Sequence, residues 1–260
     1  MSQELNLQEV TDNFLHKIEA IHESTTFLML MSFVETKRAR EEYLDFLKKQ
    51  GEIEDEDEDK TVFKLRMEFA KQAKKLEKKS ERSRTILTLL PRNFLVSLVA
   101  EYDSYLGQLI TELLTYKPEI LNSGEKNISF TDLTKLGSIE AAREHIIAKE
   151  VETVLRKSHS EQFDWLSSTF GLKLKSGLNS WGRFIELTER RNLFVHCDGI
   201  VSAQYLKVCA RNDVEVDKEI SVGHALGASK DYIYWCRSHY REQCKTAKPP
   251  WSRRTACYSR

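Results

Sequence analysis

The sequence predicts an all-α protein: a helical bundle of four to five core helices with an N-terminal helical extension. Three observations predict it. Apolar residues recur at spacings of three and four, as in Val10, Phe14, Ile18 and Ile21, which is the period of one helix face. Helix breakers are scarce, with 10 Gly and 4 Pro in 260 residues. Nothing reads as a series of alternating strands.

The extension spans residues 1–90. Residues 7–49 read as one long helix or two, ended by Gly51. The block Glu52-Ile53-Glu54-Asp55-Glu56-Asp57-Glu58-Asp59 repels itself, so 52–59 is expected to be an acidic, mobile loop. The pattern is helical again over 61–84, where Lys71, Lys74, Lys75, Lys78, Lys79 and Arg82 form a basic stripe. That stripe is either a solvated face or a contact surface for an RNA backbone, whose affinity would fall steeply with salt.

The main helical domain is expected over 91–248. Pro91 suits the first position of a core helix, which runs to Tyr116 and carries Phe94, Leu95, Leu98, Tyr102, Tyr105, Leu109 and Leu113 on one face. Glu101 and Asp103 border that face on opposite sides. After a loop over 122–127, Ser138 caps a second core helix reaching Lys157, with Glu140 in its first turn. A short helix follows over 161–170, a Gly/Lys turn over 171–177, and a helix over 181–199 with Asn179 or Ser180 as N-cap. Ser202 caps a further short helix to Val208, and 211–228 look irregular. Ser229 caps a last amphipathic helix over 230–245, and the basic tail 249–260 is expected to be disordered.

Composition narrows the function classes. With 40 basic and 40 acidic residues the net charge is zero, so any nucleic-acid contact must come from a local patch. The five cysteines, Cys197, Cys209, Cys236, Cys244 and Cys257, show neither zinc spacing nor a disulfide framework and read as reduced thiols of a cytoplasmic protein. The start has no basic and apolar leader pattern. The longest apolar run, residues 27–34, falls short of the roughly 20 residues a membrane span needs and reads as a buried helix segment. Outside the 181–199 helix, His16, His22, His145, His159, His224 and His239 form no metal-ligand pattern. Glycine loops for nucleotides and nucleophile elbows are lacking too. Trp165, Phe170, Trp181 and Trp235 read as core residues, and no cofactor or metal is expected.

The chemistry concentrates in the 181–199 helix. At about 100° per residue, Phe184, Leu187, Phe194 and Val195 fall on one side, with Gly199 placed as the left-handed residue that ends the helix. Arg191 sits within the apolar arc, where a guanidinium needs a partner; Glu101 or Asp103 can supply it. A second stripe, Glu189, Asn192 and His196, runs beside the arc at spacings of three and four.

Arg191-Asn192-Leu193-Phe194-Val195-His196 resembles the signature of the HEPN superfamily: Arg, a polar residue, three more residues, then His. The doubled arginine, the apolar triplet and the following Cys197-Asp198-Gly199 extend the likeness, which covers residue 91 onward. The resemblance implies an all-α, metal-independent endoribonuclease and a homodimer through the 181–199 helix, with the two copies forming one cleft. By that likeness His196 is the acid/base, Arg191 the phosphate and transition-state stabiliser, and Asn192 a supporting group. Glu189 is a weaker candidate, a surface or helix-pairing residue. It further implies a toxin or phage-defence effector held silent by a regulatory or antitoxin protein or by its own extension. The residues also fit a non-catalytic helical interaction module, or RNA binding without cleavage through the lysine stripe.

Overall fold

The computed structural model describes residues 6–57, 60–123, 128–171, 175 and 181–228. Two long antiparallel helices dominate it. Helix α1 (Leu7–Gln50) leads through strands β1 (Gly51–Asp57) and β2 (Lys60–Leu65) into α2 (Met67–Tyr116). A 3-10 turn (Pro118–Ser123) and four short helices follow, α3 (Phe130–Leu136), α4 (Ile139–Leu155), α5 (His159–Phe170) and α6 (Trp181–His196), then α7 (Ala203–Arg211). Among the described residues the fold is all-α apart from one hairpin and an isolated bridge between Ile200 and Ala225.

One core joins α1, α2, α4, α5 and α6. Leu95, Leu98, Leu106, Ile110 and Leu114 of α2 meet Phe163 and Leu166 of α5 and Phe184 and Leu187 of α6. Phe14 and Ile18 of α1 lie in the same cluster, and the Phe14 ring stacks on Tyr105 with centroids 4.6 Å apart. The boundary expected at residues 90/91 therefore falls within α2, and residues on either side of it share this core.

Beyond this core the two long helices continue as a paired arm. His22 packs on Phe94, Thr36 Oγ1 donates to the Ser83 carbonyl at 3.0 Å, and Phe46 packs on Phe69. Small buried residues at the contact, Ala39, Ala73, Ser80 and Ser83, let the backbones approach. From Phe94 to Met67 the arm is roughly 40 Å long at 1.5 Å per residue. Residues 27–34 lie on it, and the expectation that they are buried is overturned: Phe27, Leu28, Leu30, Met31, Phe33 and Val34 are all exposed. Only Met29 turns in towards the core, because a two-helix arm covers a single stripe of each helix.

Two further expectations need correction, and one helix is unforeseen. Residues 52–57 of the acidic block form a strand rather than a loop: β1 pairs antiparallel with β2, Glu52 opposite Lys64 and Ile53 opposite Phe63. The Glu52–Lys64 pair sets opposite charges across the ladder and offsets part of the self-repulsion the block has in isolation. Helix α2 starts at Met67, and Pro91 lies buried inside it rather than at its start. Proline removes one N–H at a cost of about 3 kcal/mol, and the packing of α1 and the core along α2 offsets it. Helix α3, capped by Ser129 Oγ accepting from the Asp132 N–H, has no counterpart in the sequence reading.

The remaining elements follow their caps. Ser138 caps α4, Ser158 and Glu161 form a reciprocal capping box on α5, and Ser202 caps α7. The helix expected over 230–245 and the tail lie outside the described residues, as do the candidate caps Asn179 and Ser180. No described helix is long and apolar enough to cross a membrane.

Candidate functional site

Three helices converge on one carboxylate. Asp103 of α2 accepts from Arg191 Nη2 of α6 on Oδ2 at 2.9 Å, and from His159 Nε2 of α5 on Oδ1 at 2.9 Å. A carboxylate can only accept, so the Nε2 of His159 carries the proton. Between the two alternatives for the partner of Arg191, the geometry selects Asp103; Glu101 instead binds Lys17 at 3.0 Å. The Arg191 side chain is 22% exposed and its Nε is buried with no hydrogen-bond partner among the described residues.

His159 stands at the first position of α5, fixed there by the capping box. Its ring lies edge-on to Phe184 and close to Tyr102, so it is a nearly buried imidazole with one polar contact. Sequence reasoning set His159 aside with the other histidines. The signal that could have placed it was its position directly after the Ser158 cap, on the helix preceding α6.

On α6 the candidate residues differ in environment. Asn192 Nδ2 donates to Glu189 Oε1 at 3.3 Å. Glu189 is half-buried, and burial raises its carboxyl above the ordinary range against the opposing pull of His159, Asn192 and Arg191. His196 is the last residue of α6 and is exposed. Phe184 and Leu187 are buried as expected, but Val195 is 49% exposed. It lies about 80° round the helix from Leu187, where α6 has run past the core.

The end of α6 is held firmly. Cys197 and Gly199 N–H both donate to the Leu193 carbonyl, at 2.8 and 3.0 Å. Asp198 and Gly199 both take left-handed backbone, φ 50° and 80°, and a Cβ on Gly199 would sit 2.9 Å from the Leu226 oxygen. Residues 199–201 then pair with 223–226. Arg92 reaches from α2 to Asp198 at 2.7 Å and lies over the Phe194 ring. His196 therefore projects from a fixed helix end.

The far side of α6 carries a separate buried network. Glu186 Oε1 accepts from Tyr205 Oη and Arg190 Nε, each at 2.7 Å, and Arg190 Nη1 donates to the Gly227 carbonyl. Arg190, the first arginine of the doubled pair, thus serves α7 and the 223–227 segment. Lys71, Lys74, Lys75 and Lys78 are exposed on the arm. Lys78 lies 25 residues along α2 from Asp103, roughly 37 Å away, so the stripe and the Arg191 cluster do not form one site. Lys79 pairs with Glu42 at 2.8 Å. Among the described residues no group of acidic, histidine and cysteine side chains could hold a metal.

Compared with protein-family models, with curated proteins and with solved structures, the chain has no match.

Proposed function

We propose that this chain is a metal-independent endoribonuclease acting as a homodimer through the 181–199 helix, on a HEPN-like bundle. One observation carries the reading: His196 is open to water at a fixed helix end, on the same helix as Arg191, whose guanidinium Asp103 holds in place. An exposed imidazole can exchange protons near neutral pH. A pinned guanidinium can offer its remaining N–H groups to a phosphate.

In the proposed reaction one His196 takes the ribose 2′-hydroxyl proton and the 2′-oxygen attacks the adjacent phosphorus. The bond to the 5′-oxygen breaks, and the partner's His196 protonates that oxygen. The products carry a 2′,3′-cyclic phosphate and a 5′-hydroxyl. Arg191 stabilises the charge gathering on the non-bridging oxygens, and Asn192 supports it. The resemblance adds a toxin or phage-defence setting with a regulatory or antitoxin protein. Incubation with mixed RNA in EDTA is the test. His196→Ala should lower cleavage by about 10²–10⁴-fold and Arg191→Ala by about 10²–10³-fold. Cleavage that survives both substitutions, or proceeds equally on a 2′-deoxy substrate, overturns the mechanism.

A second reading has its own observation. The Arg191–Asp103–His159 contact, largely withdrawn from solvent, is also what a structural tie between three helices requires. It describes a non-catalytic interaction module and predicts dimers without RNA turnover. RNA binding through Lys71, Lys74, Lys75 and Lys78 without cleavage would instead appear as salt-dependent affinity unaffected by His196→Ala.

A further inference from the structure

The arm carries an apolar surface that the ribonuclease reading does not use. Phe27, Leu28, Leu30, Met31, Phe33 and Val34 are each 46–60% exposed, and Ile86 and Leu89 of α2 are 46% and 43% exposed. The antiparallel register, His22 beside Phe94 and Thr36 beside Ser83, sets Ile86 and Leu89 alongside residues 27–34. With about half of each side chain bare, at roughly 200 Å² apiece, the patch amounts to the order of 800 Å². That exceeds the roughly 300–600 Å² of a typical monomer's largest apolar patch. The six α1 residues supply roughly 600 Å² of it, about three quarters of what one partner contributes to a standard-size interface.

The order of the residues indicates the occupant. The exposed set 27, 28, 30, 31, 33, 34 maps onto itself when the helix is reversed about the midpoint between Leu30 and Met31: 27 with 34, 28 with 33, 30 with 31. In an antiparallel pair about a two-fold axis at that midpoint, each of these residues lies level with an apolar residue of the other copy, so no polar group is set against the apolar band along its length. The flanking charges obey the same reversal. Glu23, one turn before Phe27, exchanges with Arg38, one turn after Val34, so each end of the contact brings opposite charges together. Arg38 is 69% exposed and pairs with Glu35 at 2.8 Å, and its five donors leave room for a second carboxylate.

We infer that this face binds a second copy of the chain, α1 lying antiparallel on the partner's α1 with the two-fold axis between Leu30 and Met31. Phe27 then packs on the partner's Val34 and Leu30 beside the partner's Met31, with Leu28 and Phe33 on the two flanks of the seam, and Glu23 faces the partner's Arg38. The contact is independent of the ribonuclease reading and of any pairing through α6.

Sedimentation of the full chain tests it. Leu30→Glu with Val34→Glu, both exposed positions in a helix, should halve the assembled mass at concentrations up to about 100 μM while helix content and Tm stay unchanged. Glu23→Arg alone should raise Kd roughly three- to ten-fold, and Glu23→Arg with Arg38→Glu should restore it. Arg191→Ala and His196→Ala should leave this contact intact. An assembled mass unchanged by the Leu30→Glu, Val34→Glu pair overturns the proposal, and a charge swap that fails to restore association overturns the antiparallel arrangement. A monomeric wild type also overturns it, whether the patch is then covered by residues 229–260, another protein or a lipid surface.

Discussion

Glu189 and Cys209 show how position, more than residue type, sets side-chain chemistry here. Burial raises the Glu189 carboxyl, so its charged form is less favourable in the folded chain than in the unfolded one. That penalty is present above the folded pKa and is relieved as pH falls through it. Glu189→Gln keeps an oxygen for the Asn192 amide and removes the charge, so it should raise Tm at pH 7. The gain should vanish below about pH 4, the ordinary range of a glutamate; thermal melts across pH decide this, and a variant less stable at pH 7 than at pH 4, relative to wild type, contradicts it. Burial and the nearby Glu186 charge push the Cys209 thiol up to about 11, whereas Cys197 is exposed. Because only the thiolate is nucleophilic, brief alkylation at pH 8 followed by peptide mapping should label Cys197 and spare Cys209 until the chain is denatured.

At the level of elements, the tie of α2, α5 and α6 through Asp103 is the polar contact to test. Asp103→Ala leaves Arg191 and His159 without their common acceptor in a region largely withdrawn from water. It should lower unfolding free energy by about 2–4 kcal/mol in urea titrations, with Asp103→Asn losing less because one carbonyl acceptor remains. The period of α6 and its Gly199 stop are legible in the sequence, because helix periodicity and glycine preference are local. So is the need of Arg191 for a carboxylate, though only the packing of α2 on α6 singles out Asp103 over Glu101. What the sequence could not show was pairing at a distance. Residues 52–57 of the acidic block pair as a strand with residues 60–65, which set Lys64 opposite Glu52. Pro91 sits inside α2 because the neighbouring helices sustain both sides of it. Residues 27–34 read as core because hydropathy counts apolar side chains without counting what is available to cover them.

For the whole molecule, α1 has two roles along its length, and they should separate experimentally. Its first turns complete the bundle: Phe14 and Ile18 are 3% and 0% exposed, and Phe14 contacts both Tyr102 and Tyr105. Its later turns form the arm and carry the bare apolar face. Phe14→Ala removes a buried ring from a close-packed core and should cost about 3–5 kcal/mol, and Ile18→Ala about 2–5 kcal/mol. A chain beginning at residue 91 loses both side chains at once and bares the sides of the Tyr102 and Tyr105 rings that Phe14 covers. A domain of its size has only about 5–15 kcal/mol of stability to lose, so the shortened chain should fail to unfold cooperatively in urea. Leu30→Glu, on the arm, should leave the urea midpoint of a single protomer where it is. If the chain beginning at residue 91 instead unfolds in one sharp transition with the wild-type midpoint, the first helix is an appendage and the shared core assigned to α1 and α2 contributes nothing.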